Sequence, residues 1–487
     1  MRNHRFAPLL LSLAVSVLAL AQRPNPQGAH VVIPVVAHAG GIHSEFRSDV
    51  FLFNRGETFA DLSLTFTPSG ADGTSQFVTA QQILAPGQLV ELQDVVATLF
   101  HTTGSGALEI GGDIGSILTR STTYNPTPHG RLAQSVVPVS SEDAIGLGEK
   151  PLVVMPVAST EVSRTNLGIT ETAGKAGVVR VTRGFGFLAG HTIEIPILPY
   201  SHVQFPAAMD VSANTFSASV DVIGGEARVV AYASMIEHHS GDPMYIAGKR
   251  STTSPLVIPV AAHFNGPVVW ALETWYAYVQ PETDIIFPLA LPANPPPPLL
   301  TFYPSHQPDA ARTHQAPDYA YLIWTNSAVG AFFEFFDGAA GHIQYTPPDG
   351  AFIMTRLWTP TDDGDGTVGQ VIDPVPLSHA IGDGESADAI GVAVNGERRT
   401  NVGITEVTGA PARVQVALLD AAGMVIGTKD VDVAGHGNVQ FSIATIAPGA
   451  IDLATARFTV IGGTGRILGY ASVIERVSKD PTFILAE

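Results

Sequence analysis

The chain has 487 residues, of which 45% are hydrophobic and only 14% are charged, and 44 acidic against 25 basic residues give a formal charge of −19. A chain this acidic is repelled by phosphate groups, which argues against nucleic acids and anionic membranes as partners. It contains no Cys, so disulfides, thiol catalysis, iron–sulfur clusters and Cys-ligated zinc are excluded as well.

The first 21 residues have the layout of a secretory signal peptide. Arg2 and Arg5 precede an apolar run over residues 9–20, which ends in small residues suited to cleavage. This run is shorter than the ~20 residues of a membrane-spanning helix, and no later stretch is long and apolar enough for one. We predict a signal peptide over 1–21, a linker over 22–30, and secretion of a bacterial protein to the periplasm or the cell exterior.

The strongest signal in the remaining sequence is an internal repeat. Residues 164–171 (RTNLGITE) return as 399–406 (RTNVGITE), and residues 232–237 (YASMIE) return as 470–475 (YASVIE). Further short matches between the two halves of the chain lie before and after these segments, and each pair is separated by a similar number of residues. The chain is therefore a duplicated unit.

Each copy of the unit is itself divided in two. Ile110-Gly111-Gly112 matches Ile223-Gly224-Gly225 within the first copy. Four parts of the mature chain have about 116 residues each, which is the size of a domain rather than of a solenoid repeat. We predict four modules, at residues 31–150, 151–250, 251–386 and 387–487.

The local patterns predict strands rather than helices. Leu62, Leu64 and Phe66 alternate with polar residues and so share one face of a strand. Residues 413–419 reach a turn at 420–423 and the strand pattern then resumes, as in a hairpin. Short strands separated by Gly, Pro and Asp turns favour a sandwich of about seven strands. The predicted fold class is all-β, with four tandem antiparallel β-sandwich modules arranged as a duplicated two-module unit.

Two short patterns in the first module carry a resemblance. They are Val50-x-Leu52-x-Asn54-x-Gly56 followed by Leu62-x-Leu64-x-Phe66, and Ala85-Pro86-Gly87 before Val90-x-Leu92. In these features the modules resemble immunoglobulin-like and fibronectin-III-like repeats of secreted bacterial proteins, although the Cys and Trp core of antibody domains is absent. The resemblance implies spacing, adhesion or ligand presentation without catalysis.

One polar motif recurs in three modules as Arg, any residue, and then Asp or Asn. Positions i and i+2 of a strand share a face, so the two side chains could touch. A bidentate Arg that fixes a neighbouring loop or module would explain the motif structurally. We interpret the motif as structural, with ligand binding as the alternative. Its members are Arg47 with Asp49, Arg164 with Asn166, and Arg399 with Asn401.

Clustered carboxylates make residues 362–366 a weak calcium candidate. Asp362, Asp363 and Asp365 lie on a Gly-rich segment, and hard cations prefer such oxygen ligands. The spacing and the terminal Glu of an EF-hand are missing, so a solvated hairpin tip is the favoured interpretation. No other cofactor and no other metal site is predicted.

Aromatic residues are concentrated in the third module. Residues 254–389 hold 18 of the 38 aromatic residues, including all four Trp, together with a Pro-rich insert at 292–298. Exposed aromatic rings suit stacking on sugars or peptides, whereas the alternative is an enlarged core. The ligand-binding candidates are Trp275, Tyr276, Tyr278 and Trp324.

Taken together, these features predict a non-catalytic secreted or cell-surface protein for adhesion, scaffolding or matrix contacts. Its expected partner is an extracellular protein or a glycan. The first alternative is a glycan-binding protein that uses the aromatic third module. The second is an extracellular hydrolase with a site between modules, since local motifs of hydrolases, kinases and dinucleotide enzymes are absent but paired glycosidase carboxylates leave no such motif.

Overall fold

The protein is all-β, as predicted, and every strand pair is antiparallel. The computed structural model describes residues 23, 30–41, 44–185, 188–207, 214–264, 269–278, 298–315, 323–325 and 327–487. The predicted signal peptide and most of the Pro-rich insert lie outside these residues. Within the described ranges, no helix has both the length and the apolar character needed to cross a membrane.

The first module forms one continuous sheet of nine strands. Strand β1 makes this possible, because residues 31–38 pair with β6 and residues 38–41 pair with β2. The order is β4-β3-β6-β1-β2-β7-β8, with β5 beside β2 and β9 beside β1. The elements are β1 (Val31–Gly41), β2 (Ser44–Asn54), β3 (Ala60–Pro68), β4 (Val78–Leu84), β5 (Leu89–Leu92), α1 (Val95–Thr98), β6 (Gly104–Gly112), a 3-10 turn (Ile114–Ser116), β7 (Ile117–Thr127), β8 (Gly130–Val136) and β9 (Val139–Ser140).

The second module is a sandwich of two four-stranded sheets, ordered β10-β15-β12-β13 and β14-β11-β16-β17. Apolar side chains of both sheets form its core. The strands are β10 (Leu152–Ser159), β11 (Ser163–Glu171), β12 (Gly177–Phe185), β13 (Leu188–Ile197), β14 (His202–Pro206), β15 (Asn214–Gly225), β16 (Val229–Glu237) and β17 (Pro243–Ala247).

The third module repeats the strand order of the first. Its sheet runs β21-β20-β23-β18-β19-β24-β25, with β22 beside β19 and β26 beside β18. The elements are β18 (Leu256–Phe264), β19 (Trp270–Tyr278), β20 (Leu299–Pro304), a 3-10 turn (Pro308–Ala310), β21 (Arg312–Gln315), β22 (Ile323–Thr325), α2 (Ala328–Ala331), β23 (Ala339–Tyr345), β24 (Ala351–Pro360), β25 (Thr367–Val371), β26 (Val375–Pro376) and a 3-10 turn (Leu377–His379).

The fourth module repeats the strand order of the second, as β27-β32-β29-β30 and β31-β28-β33-β34. The duplication predicted from sequence is therefore also a duplication of topology. The elements are β27 (Ser386–Val394), β28 (Arg398–Glu406), β29 (Ala412–Asp420), β30 (Val425–Val433), β31 (Asn438–Ser442), a 3-10 turn (Ile443–Thr445), β32 (Ile451–Gly463), β33 (Ile467–Glu475) and β34 (Pro481–Leu485).

In the part of the chain that the structure describes, the modules have eight or nine strands where about seven were expected. The additional strands include β9 and β26, which are only two residues long. A two-residue strand cannot show an alternating pattern, because that pattern needs at least four residues to emerge. These strands are defined by their pairing to β1 and β18 rather than by their own sequence.

Each module contacts the next, and the fourth returns to the first. Hydrogen bonds link module 1 to 2, 2 to 3, 3 to 4 and 4 to 1. The cores are shared as well, since Tyr232 of module 2 lies in the core of module 1 and Tyr470 of module 4 lies in that of module 3. Gly168 and Gly403 make room for these rings, which a Cβ atom at either position would overlap.

Candidate functional site

The repeated segment RTN(L/V)GITE forms most of β11 and β28, and its buried polar atoms hold the modules together. Thr170 donates its hydroxyl hydrogen to the carbonyl of Pro34 at 2.8 Å, across the boundary between modules 1 and 2. Thr405 makes the same bond to Pro259 at 2.7 Å, between modules 3 and 4. Both threonines are fully buried, so these bonds fix the relative positions of neighbouring modules.

The glutamates that end the segment accept hydrogen bonds from several loops of their own module. Glu171 accepts main-chain N–H bonds from residues 173–175, Tyr200 and Arg228, at 2.7 to 3.2 Å. Burial raises the pKa of the Glu171 carboxyl, against the opposing effect of these donors. Glu406 accepts the corresponding set in module 4, from residues 408 and 409 and from residues 436 and 466. A buried acceptor that satisfies several loop amides is a structural element.

The Arg of the three-residue motif does not bond to the Asp two positions on. Arg47 donates to Glu45 at 2.8 Å and 3.1 Å, two residues in the opposite direction on the same strand face. Asp49 is buried and instead accepts from Arg131 at 3.2 Å and from the main-chain N–H of Asp94 at 2.8 Å. Arg47 and Asp49 thus bond to different partners, and the contact between them that the spacing allowed is not formed.

The middle residue of this motif performs the anchoring that was expected of the Arg. Thr165 donates to the carbonyl of Ala158 and accepts from its N–H, at 2.5 Å and 3.1 Å. Thr400 does the same with Ala393, at 2.7 Å and 3.0 Å. These bonds join the two sheets of modules 2 and 4. The remaining members, Arg164, Asn166, Arg399 and Asn401, lie beside these threonines on β11 and β28 and keep part of their surface exposed.

Of the aromatic candidates, Trp275 is 5% exposed and belongs to the core shared with module 2. It therefore presents no free ring face to a sugar, which corrects its selection as a stacking residue. Its strand pairs with that of Trp324, in register at these two positions. The side chains of Tyr276, Tyr278 and Trp324 lie outside the described residues.

The acidic segment at 362–366 is the tip of the hairpin between β24 and β25. Asp362 forms an ion pair with Lys479 of module 4. Asp363 accepts a hydrogen bond from Thr361 Oγ1 at 2.6 Å and one from the N–H of Asp365. Among the described residues, no three His, Asp or Glu side chains are grouped so as to hold a metal ion.

The centre of the molecule is the junction where β8, β17, β25 and β34 of the four modules meet. Two carboxyls are fully buried there, Asp242 at the start of β17 and Asp480 at the start of β34. Asp242 accepts from Arg356 of module 3 at 2.7 Å, and Asp480 accepts from the N–H of Ala133 of module 1 at 2.5 Å. Both aspartates follow the repeated YAS(M/V)IE segment at the same distance, and this repeat was the signal in the sequence that pointed to them.

Burial raises the pKa of both carboxyls, because the charged form loses its hydration. For Asp480 the nearby charge of Asp242 adds to this effect. One Oδ atom of each carboxyl has no hydrogen-bond partner. Burial thus acts against the ionisation of both carboxyls, while the bonds from Arg356 to Asp242 and from Ala133 to Asp480 act in the opposite direction.

A cavity of about 270 Å³ opens beside this junction and is lined by residues of all four modules. Its acidic side chains include Asp373 and Asp388. Lys249 donates to Asp373 at 2.5 Å, and Arg457 forms a two-bond contact with Asp388 at 2.7 Å and 3.0 Å. The cavity thus has room for a small molecule, while these two carboxylates are already bound by cations.

No family model and no curated protein matches the chain. Among solved structures, the crystal structure of a Streptomyces avermitilis α-L-rhamnosidase complexed with L-rhamnose aligns with 87% of this chain at 8% identity and a TM-score of 0.13. The alignment spans 55% of that enzyme, or about half of its length. A TM-score this low carries no argument about fold or activity.

Proposed function

We propose that the chain is a non-catalytic, exported β-sandwich protein that acts in adhesion, scaffolding or matrix contacts at or beyond a bacterial cell surface. The observation that carries the proposal is the use made of the recurring polar residues. Thr170, Thr405, Asp242 and Asp480 all bond to a neighbouring module. Both copies of the unit therefore retain polar residues that bond one module to the next.

The carboxylates around the central cavity support this proposal. A general acid must be protonated and within reach of the substrate. Asp373 and Asp388 are each bound by a cation, and Asp242 and Asp480 are sealed from solvent. Each of these four carboxyls is therefore either bound by a cation or closed to a substrate, which speaks against its use as a hydrolytic acid.

The assembly of the modules also suits the presentation of a surface. Four modules that contact one another in a closed order have few free hinges, so loops on their outer side keep fixed relative positions. A fixed surface loses little entropy on binding an extracellular protein or glycan. The resemblance to immunoglobulin-like repeats is consistent with such a role.

The test uses the chain from Gln22 to Glu487, offered to immobilised polysaccharides and extracellular-matrix proteins, with product release measured on the same polysaccharides. We expect saturable binding to at least one of these polysaccharides or matrix proteins, and no release of sugar from the polysaccharides. Release of sugar that is lost in an Asp388→Asn variant, but kept in an exposed Asp61→Asn control, would contradict the proposal.

Tryptophan fluorescence separates the glycan-binding alternative from binding elsewhere. All four Trp lie in module 3, and Trp270 and Trp358 keep part of their surface exposed. A glycan that binds through this module should change their emission, and a Trp270→Phe variant should reduce the change. Binding without any change in emission places the partner on another module.

A further inference from the structure

Arg23 lies in a pocket between modules 1 and 2, and its side chain is only 8% exposed. Its Nη1 donates to Thr67 Oγ1 at 3.0 Å and to the carbonyl of Gly73 at 2.7 Å, while Nη2 donates to Glu109 at 3.3 Å. Its guanidinium carbon is 3.8 Å from the ring centroid of Tyr200, which belongs to module 2. Both modules therefore contribute to the pocket.

These contacts are specific for a guanidinium group. The pocket offers a carboxylate for the charge, two oxygen acceptors for separate N–H groups and an aromatic face for the planar cation. An ammonium group carries the same charge but lacks the planar fork. A Lys side chain in this place would keep the ion pair with Glu109 and lose the stacking on Tyr200.

The second unit contains the equivalent position without an arginine, which makes it an internal control. His436 corresponds to Tyr200, since both have a positive φ, 55° and 51°. Their main-chain N–H groups bond to the equivalent glutamates, Glu406 and Glu171, at 2.7 Å and 2.8 Å. The two aromatic side chains therefore occupy matching places at the two junctions.

At the second junction, a side chain of the module itself covers this aromatic ring. Tyr303, which corresponds in strand register to Thr67, stacks on His436 with ring centroids 4.0 Å apart. The position of Glu109 is taken by Gln344 in the same register, so the carboxylate is absent there. Thr67 of the first unit is small where Tyr303 of the second unit has a large ring. The side chain of Arg23 occupies the space that this leaves at the first junction.

A second contact links the same N-terminal segment to module 2. His30 Nε2 lies 3.2 Å from the carbonyl oxygen of Thr172, which accepts the ring N–H. The two described residues of the linker at 22–30 are thus both in contact with polar groups at this junction. Arg23 supplies the larger and more specific set of contacts.

We propose that Thr67, Gly73, Glu109 and Tyr200 form a guanidinium-binding site whose ligand is Arg23 of the chain's own N-terminal segment. Its occupancy ties that segment to modules 1 and 2 and completes their junction. The second junction needs no such ligand because Tyr303 completes it from within. The site is independent of any partner on the outer surface and of the central cavity.

The first test compares Arg23→Ala and Arg23→Lys variants of the chain that begins at Gln22. We expect a thermal unfolding midpoint lower than that of the wild type for both, with the larger decrease for Ala. The ethylguanidinium ion should bind the Ala variant saturably and raise its midpoint, and it should not bind the wild type because the site is filled. No saturable binding to the Ala variant overturns the proposal. If the Ala variant does not fold alone, ethylguanidinium should restore a cooperative thermal transition, and failure to do so also overturns the proposal.

The second test introduces into the first junction the aromatic packing that completes the second one. In an Arg23→Ala/Thr67→Tyr double variant, the new ring should stack on Tyr200, restore the unfolding midpoint and abolish ethylguanidinium binding. The matched control, Tyr303→Thr, should destabilise the second junction without creating a guanidinium site, because Gln344 carries no charge. Ethylguanidinium binding that persists in the double variant would show that the ion binds elsewhere.

Discussion

Asp242 and Asp480 occupy equivalent places in the two units, yet their surroundings differ in one decisive contact. Each accepts a main-chain N–H from the facing strand, from Gly369 at 3.1 Å and from Ala133 at 2.5 Å. Asp242 also accepts from Arg356 at 2.7 Å. Asp480 receives no such bond from an arginine in the described part of the molecule.

The arginine that corresponds to Arg356 is Arg120, and it bonds elsewhere. It donates to the carbonyl of Ile390 at 3.3 Å and to Thr122 at 2.9 Å. Burial lowers the pKa of Arg120 to about 9. Duplication thus preserved the main-chain geometry of the junction, whereas the side-chain pairing diverged and left Asp480 without the hydrogen bond from an arginine that Asp242 has.

Among the variants that test this comparison, the one that removes Arg356 should lose the most unfolding free energy. An Arg356→Met variant leaves Asp242 buried with a main-chain donor alone, and breaking a buried ion pair costs about 3–5 kcal/mol of unfolding free energy. The Arg120→Met variant should lose only about 1 kcal/mol, because the hydrogen bonds of Arg120 go to a main-chain carbonyl and a hydroxyl rather than to a carboxylate. Urea unfolding of both variants at pH 7 measures the difference, and equal losses would show that the two sites are equivalent after all.

The pH dependence of stability sharpens the same comparison. Unfolded Asp has a pKa of about 3.9, and the folded values of Asp242 and Asp480 are raised. Between the two values the folded state binds more protons, so unfolding free energy should fall as pH rises from about 4 towards neutrality. Asp480→Asn should make this slope shallower, while the exposed Asp61→Asn should leave it unchanged. An unaltered slope in Asp480→Asn would mean that Asp480 is ionised in the folded state.

A smaller difference is expected between Thr170 and Thr405. Thr170→Val leaves the carbonyl of Pro34 without this donor, which should cost about 1–3 kcal/mol. Thr405→Val also removes the acceptor of a 2.6 Å bond from Asn438 Nδ2. It should nevertheless cost less, since that Nδ2 and the carbonyl of Pro259 keep their bond to each other at 3.2 Å. Chemical unfolding of the two variants side by side tests this order, and a greater loss in Thr405→Val would reverse it.

The smallest effect is predicted for Arg47. Its partner is Glu45, and both side chains are more than a third exposed, so Arg47→Ala should cost no more than about 1 kcal/mol. Asp49→Ala, which removes a buried acceptor of two bonds, should be more disruptive. Thermal unfolding of the two variants tests whether Arg47 stabilises the fold as much as the recurrence of its motif suggested.

Much of the fold could be predicted because its signals are local. The alternation around Leu62, Leu64 and Phe66 does form β3, and all three side chains are buried. The hairpin expected at 420–423 is the turn between β29 and β30. The aromatic excess of module 3 was harder to interpret, because an alternating strand pattern does not say whether Trp275 faces water or another module.

The sequence by itself determined that the chain is all-β, that it is duplicated, and which segments recur. Those properties depend on residue alternation and on identity between copies, both of which can be compared along the chain. Only the tertiary structure decided that Asp242 meets Arg356, that Asp480 does not meet Arg120, and that Arg23 fills a place taken by Tyr303 in the second unit. These contacts join residues far apart in the chain, and the packing of whole sandwiches sets which of them come within bonding distance.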